Sequence, residues 1–220
     1  MCSSDLGTGG APQTILDPHP TEWSLWVASA LTGEGRLLWT SPKTLRGSVP
    51  GTDGGPNLHW AAVDRIVFMS YMDGWPHLYS MPAAGGTPVV LTPGDFQVEN
   101  VKLSPDGRSL VYAANTGGAR DDGERRHVYT VPVDRAEPRA LTAGPGIEAA
   151  PVLLADGSSV AYLSATVQRP ALAAVRSIAG GGATYIGAEL IPAEFPATQF
   201  ATPRAVTFRA EDGVTVHAQL

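Results

Sequence analysis

The chain has 220 residues, 43% of them hydrophobic, with 25 Gly, 19 Pro and a formal net charge of −6. That hydrophobic content excludes global disorder, and an acidic balance without a basic patch makes nucleic acid a poor partner. No apolar run approaches the roughly 18 residues needed to span a bilayer, and the lone Cys2 excludes an internal disulfide.

Residues 1–6, Met-Cys-Ser-Ser-Asp-Leu, are what the end of a common sequencing adapter encodes when GTG is read as the start codon. The expectation is that these six residues are not biological and that the natural chain extends further upstream. Residues 1–10 have neither the basic start nor the apolar core of a signal peptide. With an artefactual start, that says nothing about localisation.

Residues 24–28 and 36–40 flank a Thr-Gly-Glu-Gly turn and read as the last two strands of a repeating unit. The unit itself is legible further on. Residues 78–94 (LYSMPAAGGTPVVLTPG) align without a gap on 128–144 (VYTVPVDRAEPRALTAG), 50 positions later. Tyr79 meets Tyr129, Pro82 meets Pro132, Leu91-Thr92 meets Leu141-Thr142, and Gly94 meets Gly144. Residues 101–114 and 151–164 repeat as strand, turn, strand, with Asp106-Gly107 and Asp156-Gly157 in the turns, where positive φ is tolerated. Residues 58–70 are a looser copy with a shorter turn.

Together the halves make a four-stranded unit of about 45–50 residues, the length of a β-propeller blade. Units start near Asn57, Val98 and Ile147. The third looks degraded over 173–187, which keeps a Gly-Gly turn and weak strands. The longest helix-permissive stretch, 171–178, is short and follows Pro170. The expected fold is therefore all-β: a partial β-propeller of about four four-stranded antiparallel blades over 7–201. A β-sandwich is the competing reading.

The stretch Leu-Ser-Pro-Asp-Gly-Arg-Ser-Leu-Val-Tyr (103–112) resembles the blade motif of TolB-like propellers. It equally resembles that of the prolyl oligopeptidase family, including its dipeptidyl-peptidase IV-like branch. Three stretches favour the peptidases. LWVASALTGEGR (25–36) is similar to a strand pair common in their propellers, and 57–79, with Asp73-Gly74-Trp75-Pro76-His77-Leu78-Tyr79, resembles a bacterial subgroup. TPRAVTFRAEDGVTVHAQL (202–220) looks like the segment where the chain leaves the propeller and enters an α/β-hydrolase domain, although one more propeller hairpin would read alike.

The resemblance implies a serine peptidase acting on short peptides, with the propeller capping the active site and filtering access. It also implies a hydrolase domain in cis and a periplasmic or secreted location. The chain has no Gly-x-Ser-x-Gly elbow, so the catalytic Ser, Asp and His are expected beyond residue 220. No catalytic, cofactor-binding or metal residue is assigned here, and no cofactor is called for. His19, His59, His77, His127 and His217 lack metal-ligand spacing and all read as structural; His77, between Trp75 and Tyr79, is the one whose alternative is a place in the central channel. The cluster RDDGERRH (120–127) reads as a solvated loop without EF-hand spacing, and Trp23, Trp26, Trp39, Trp60 and Trp75 read as blade packing. The acidic pair with which dipeptidyl-peptidase IV-like enzymes hold a substrate amine has no evident match. The rivals are a TolB-like protein-binding propeller and a polysaccharide-active propeller enzyme, for which no convincing carboxylate pair is visible.

Overall fold

The computed structural model describes residues 22–52, 57–116 and 125–220. Strands β1 (Ser24–Ala28) and β2 (Gly35–Thr40) form an antiparallel hairpin. Three four-stranded sheets follow in chain order. The first blade holds β3 (Leu58–Ala61), β4 (Arg65–Ser70), β5 (His77–Pro82) and β6 (Val89–Val90). The second holds β7 (Val98–Leu103), β8 (Ser109–Ala114), β9 (His127–Pro132) and β10 (Arg139–Ala140). The third holds β11 (Ile147–Leu153), β12 (Ser159–Thr166), β13 (Arg169–Ser177) and β14 (Thr184–Ile186). A last hairpin, β15 (Ala205–Arg209) and β16 (Thr215–Gln219), pairs only with itself among the described residues. Each blade is a meander of sequential antiparallel neighbours, and the described residues form no closed ring.

The repeat has a physical cause at each position. Strand periodicity of two sends alternate side chains to opposite faces. On β4, Ile66 and Phe68 pack toward Leu25, Trp23 and Trp39, whereas Val67 and Met69 pack toward Val98, Leu110 and Tyr112 of the second blade. On β8, Leu110 and Tyr112 look back at the first blade, while Val111 joins Val160, Tyr162 and Ala174 of the third. Central strands are thus buried on both faces, and the blades stack like cards.

The recurring tyrosines are cross-strand ring partners. Tyr79 faces Phe68 across β4–β5 with centroids 5.9 Å apart, and Tyr129 faces Tyr112 across β8–β9 at 5.6 Å. The recurring threonines complete the third strand. Thr92 Oγ1 accepts the Leu78 N–H at 3.0 Å, and Thr142 Oγ1 accepts the Val128 N–H at 2.8 Å. Both acceptors are buried, so each satisfies a backbone donor that water cannot reach.

The third blade departs from expectation. Its third strand is not weak: β13 runs nine residues and pairs with β12 from Arg169 to Ser177. Alanines are poor strand formers alone, but Ala174 is fully buried under Tyr162 and Val160, and packing overrides propensity. Pro170 is tolerated because it sits at the register shift between Ser164 and Thr166, where no ladder donor is needed. Blade packing also claims fewer tryptophans than expected. Trp23 and Trp39 join the core, but Trp26, Trp60 and Trp75 are 63%, 56% and 38% exposed.

The outward faces at either end of the stack are apolar and open. On the third blade, Leu163, Ala161 and Val152 lie opposite the packed face, with Ile147 and Ile186 beside them. On β1–β2, Trp26 pairs with Leu37, and both are exposed.

Candidate functional site

Several of the polar groups buried in the blades lie where the third strands begin. His77 opens β5 and His127 opens β9, 50 positions apart, and both are buried. Each ring turns Nδ1 onto a carboxylate. His77 Nδ1 lies 2.6 Å from Asp73 Oδ2, within the tight turn Tyr71–Gly74 and the loop after it. His127 Nδ1 lies 2.7 Å from Glu148 Oε2, which belongs to β11 of the next blade. The same residue position therefore closes a loop in one blade and ties two blades together in the next.

Around His127 the network continues. Arg126 forks onto Glu99 of β7, with Nε and Nη2 each 3.2 Å from a carboxylate oxygen, and Gln97 also donates to Glu99. The Arg126 carbonyl accepts the Glu148 N–H at 2.8 Å. A buried carboxylate needs such partners, because desolvation without them costs several kcal/mol by general estimates. Burial also acts on phenols: it pushes Tyr112 and Tyr79 well above the usual tyrosine range, with the Asp73 charge adding to it at Tyr79.

The first strands carry bulges in register. Asn100 and Ala150, again 50 apart, hold positive φ of 51° and 50°. Asn100 Oδ1 accepts the Ala150 N–H at 3.1 Å, so the bulge of one blade clasps the bulge of the next. Nearby, His59 of β3 is half-buried, and its Nε2 has no hydrogen-bond partner among the described residues. Burial holds its pKa below the ordinary imidazole value, and the Lys102 charge on β7 lowers it further.

These placements revise several expectations. His77 does not line a channel. It opens the third strand of its blade, 1% exposed, with its ring edge-on to Phe96 at 5.2 Å. Within the cluster 120–127, residues 120–124 lie outside the described residues. Arg126 and His127 are not a solvated loop but parts of the buried network. His19 also lies outside the described residues, and His217 is exposed on β16. Among the described residues, no histidine hydrogen-bonds a serine or cysteine. Glu99, Glu148 and Asp73 were not foreseen as partners. The 50-residue spacing of His77 and His127 was the readable signal, and the carboxylates needed the fold.

The last hairpin keeps the blade turn. Asp212 Oδ1 accepts the Val214 N–H at 3.0 Å, as Asp106 Oδ1 accepts that of Arg108 and Asp156 Oδ1 that of Ser158. Turn chemistry is therefore shared by all three hairpins.

The family described as "Dipeptidyl peptidase IV (DPP IV) N-terminal region" matches residues 52–171, more than half of the chain. A "Probable dipeptidyl peptidase 4" of Aspergillus fumigatus is 38% identical over 68 residues, 31% of this chain and 8% of that protein. The "Dipeptidyl-peptidase 5" of Porphyromonas gingivalis is 34% identical over 88 residues, 38% of this chain and 13% of that protein. The chain thus spans a small part of the relatives it matches. Among solved structures, a puromycin-hydrolyzing peptidase of Mycobacterium tuberculosis superposes with a TM-score of 0.65 at 19% identity. That superposition covers 90% of this chain and 29% of the peptidase, and it speaks for the fold alone.

Proposed function

The chain belongs to the dipeptidyl peptidase IV N-terminal region family, and from that premise we propose that it is the non-catalytic propeller portion of a serine peptidase acting on short peptides. The propeller caps the active site of an α/β-hydrolase domain in cis and filters what reaches the serine. The observation that carries this reading is the family match across 52–171, which spans the first two blades and most of the third. Residues 202–220 support it by their resemblance to a propeller exit: a hairpin that pairs with no blade strand.

The chemistry would be acyl transfer to serine, with histidine as base and backbone amides around the oxyanion. What the present residues supply is rigidity. A filter works only if its walls hold their spacing, and the buried Glu99–Arg126 and His127–Glu148 contacts fix adjacent strands and blades.

The test is the open reading frame. A Gly-x-Ser-x-Gly within roughly 100–150 residues past 220 supports the peptidase. The full-length product should then cleave short chromogenic peptides, and Ser→Ala at the elbow should abolish turnover. A stop codon soon after residue 220 would favour a binding propeller of the TolB-like kind instead.

A further inference from the structure

Blades two and three meet differently at their turn ends than blades one and two. In the first pair, the Ala62 N–H donates to the Gly107 carbonyl at 2.8 Å, and a Cβ on Gly107 would stand 3.1 Å from that nitrogen. Backbone closes that gap. At the matching place one blade on, a Cβ on Gly157 would meet none of the described residues within 4 Å. A groove of about 690 Å³ remains between the second and third blades, within the size range of small-ligand sites.

Pro105, Pro132, Leu153 and Ile178 give the groove apolar walls, and the exposed Asp106 and Asp156 stand on it from successive blades. Each aspartate commits one oxygen to its own turn. Asp106 Oδ1 accepts from Ser104 Oγ at 2.6 Å and the Arg108 N–H at 3.0 Å. Asp156 Oδ1 accepts from the Ser158 and Ser159 N–H groups at 2.9 and 3.1 Å. Among the described residues neither aspartate forms an ion pair, and the Ser158 and Ser159 hydroxyls also bear on the Asp156 carboxylate. The turn donors hold both carboxyls below the usual carboxylate range, so both are charged near neutral pH. The other two charges on the wall are engaged: Glu137 takes Arg135 Nε at 2.7 Å, and Arg139 Nη1 donates to the Ile178 carbonyl at 2.8 Å.

We propose that this groove binds a cationic side chain on an aliphatic stem, the arginine or lysine of an extended peptide segment. Apolar walls cover the stem, as they do for snorkelling side chains, and the two turn carboxylates attract the charged head. The net charge of −6 favours approach of such a group.

A cysteine placed in the groove reports on it directly. In a Cys2→Ser background, Ala155→Cys puts the only thiol on an exposed groove position. Its modification by 2-aminoethyl methanethiosulfonate should run on the order of tenfold faster than by the anionic 2-sulfonatoethyl reagent. N-acetylarginine amide should slow that reaction saturably, and N-acetylnorleucine amide should not. Protection should fall at least about tenfold in affinity in D106N/D156N, whose asparagines keep the turn acceptor. Asp156→Asn alone should weaken protection less than the double change and serves if the double variant fails to fold. Protection that does not saturate, that the neutral amide matches, or that survives both sets of substitutions overturns the proposal.

Discussion

The open faces of the stack carry a measurable consequence. On the third blade, Ile147, Val152, Leu163 and Ile186 are 45%, 45%, 48% and 59% exposed. Fully burying one such side chain is worth about 1.5–3 kcal/mol, so covering four half-open ones is worth about 3–6 kcal/mol. Trp26 and Leu37 offer a second apolar surface at the opposite end. A chain with two such faces should self-associate at micromolar concentration, because contiguous exposed apolar sheet faces seek cover. Sedimentation equilibrium on residues 7–220 measures this. Leu163→Lys with Ile186→Lys should weaken association by at least about tenfold, since one decade is 1.4 kcal/mol. The same lysines should leave the fold's circular dichroism unchanged, as neither side chain belongs to a core cluster. A chain that stays monomeric at tens of micromolar and melts cooperatively refutes the argument.

Four other outcomes follow from single sites. Leu110→Ala, fully buried between the first two blades, should cost about 2–5 kcal/mol in urea unfolding, from lost transfer plus a cavity. Thr142→Val leaves the Val128 N–H buried without its acceptor and should cost about 1–3 kcal/mol in the same assay. Gly107→Ala should destabilise more than Gly157→Ala: both hold positive φ, 70° and 66°, but only the first crowds a neighbour. Each should lose at least the roughly 1–2 kcal/mol of a left-handed residue, read as a lower melting temperature. The fourth outcome is a pH dependence. The folded pKa of His59 is depressed by burial and by Lys102, below the ordinary 6.5. The unfolded chain therefore binds more protons as pH falls through 6.5, and the stability present above that value is lost toward the folded pKa. His59→Gln should flatten this part of the stability profile, and an unchanged slope would count against it.

Much of the architecture was legible because a blade is written twice in nearly the same letters. Tyr79 and Tyr129 recur because each fills the same cross-strand ring position, and Thr92 and Thr142 recur because each caps the same backbone donor. Strand starts at Val98 and Ile147 came straight from that register. The third strand of the third blade was not legible, because its alanines carry no propensity signal and owe their conformation to β12. Nor was the polar network. His77 and His127 occupy one repeat position, yet one pairs with its own loop and the other with the next blade.

By itself, then, the sequence determined the unit: its length, its four strands, its turns and the alternation that gives each strand two apolar faces. Those are local properties, set by neighbours one or two residues away and copied every 50 positions. Only tertiary structure decided what lies between units. Whether a gap closes on backbone, as at Gly107, or stays open, as at Gly157, depends on how two separately folded sheets abut. Burial, carboxylate partners and the groove all arise at those contacts, where distance in the chain says little about distance in space.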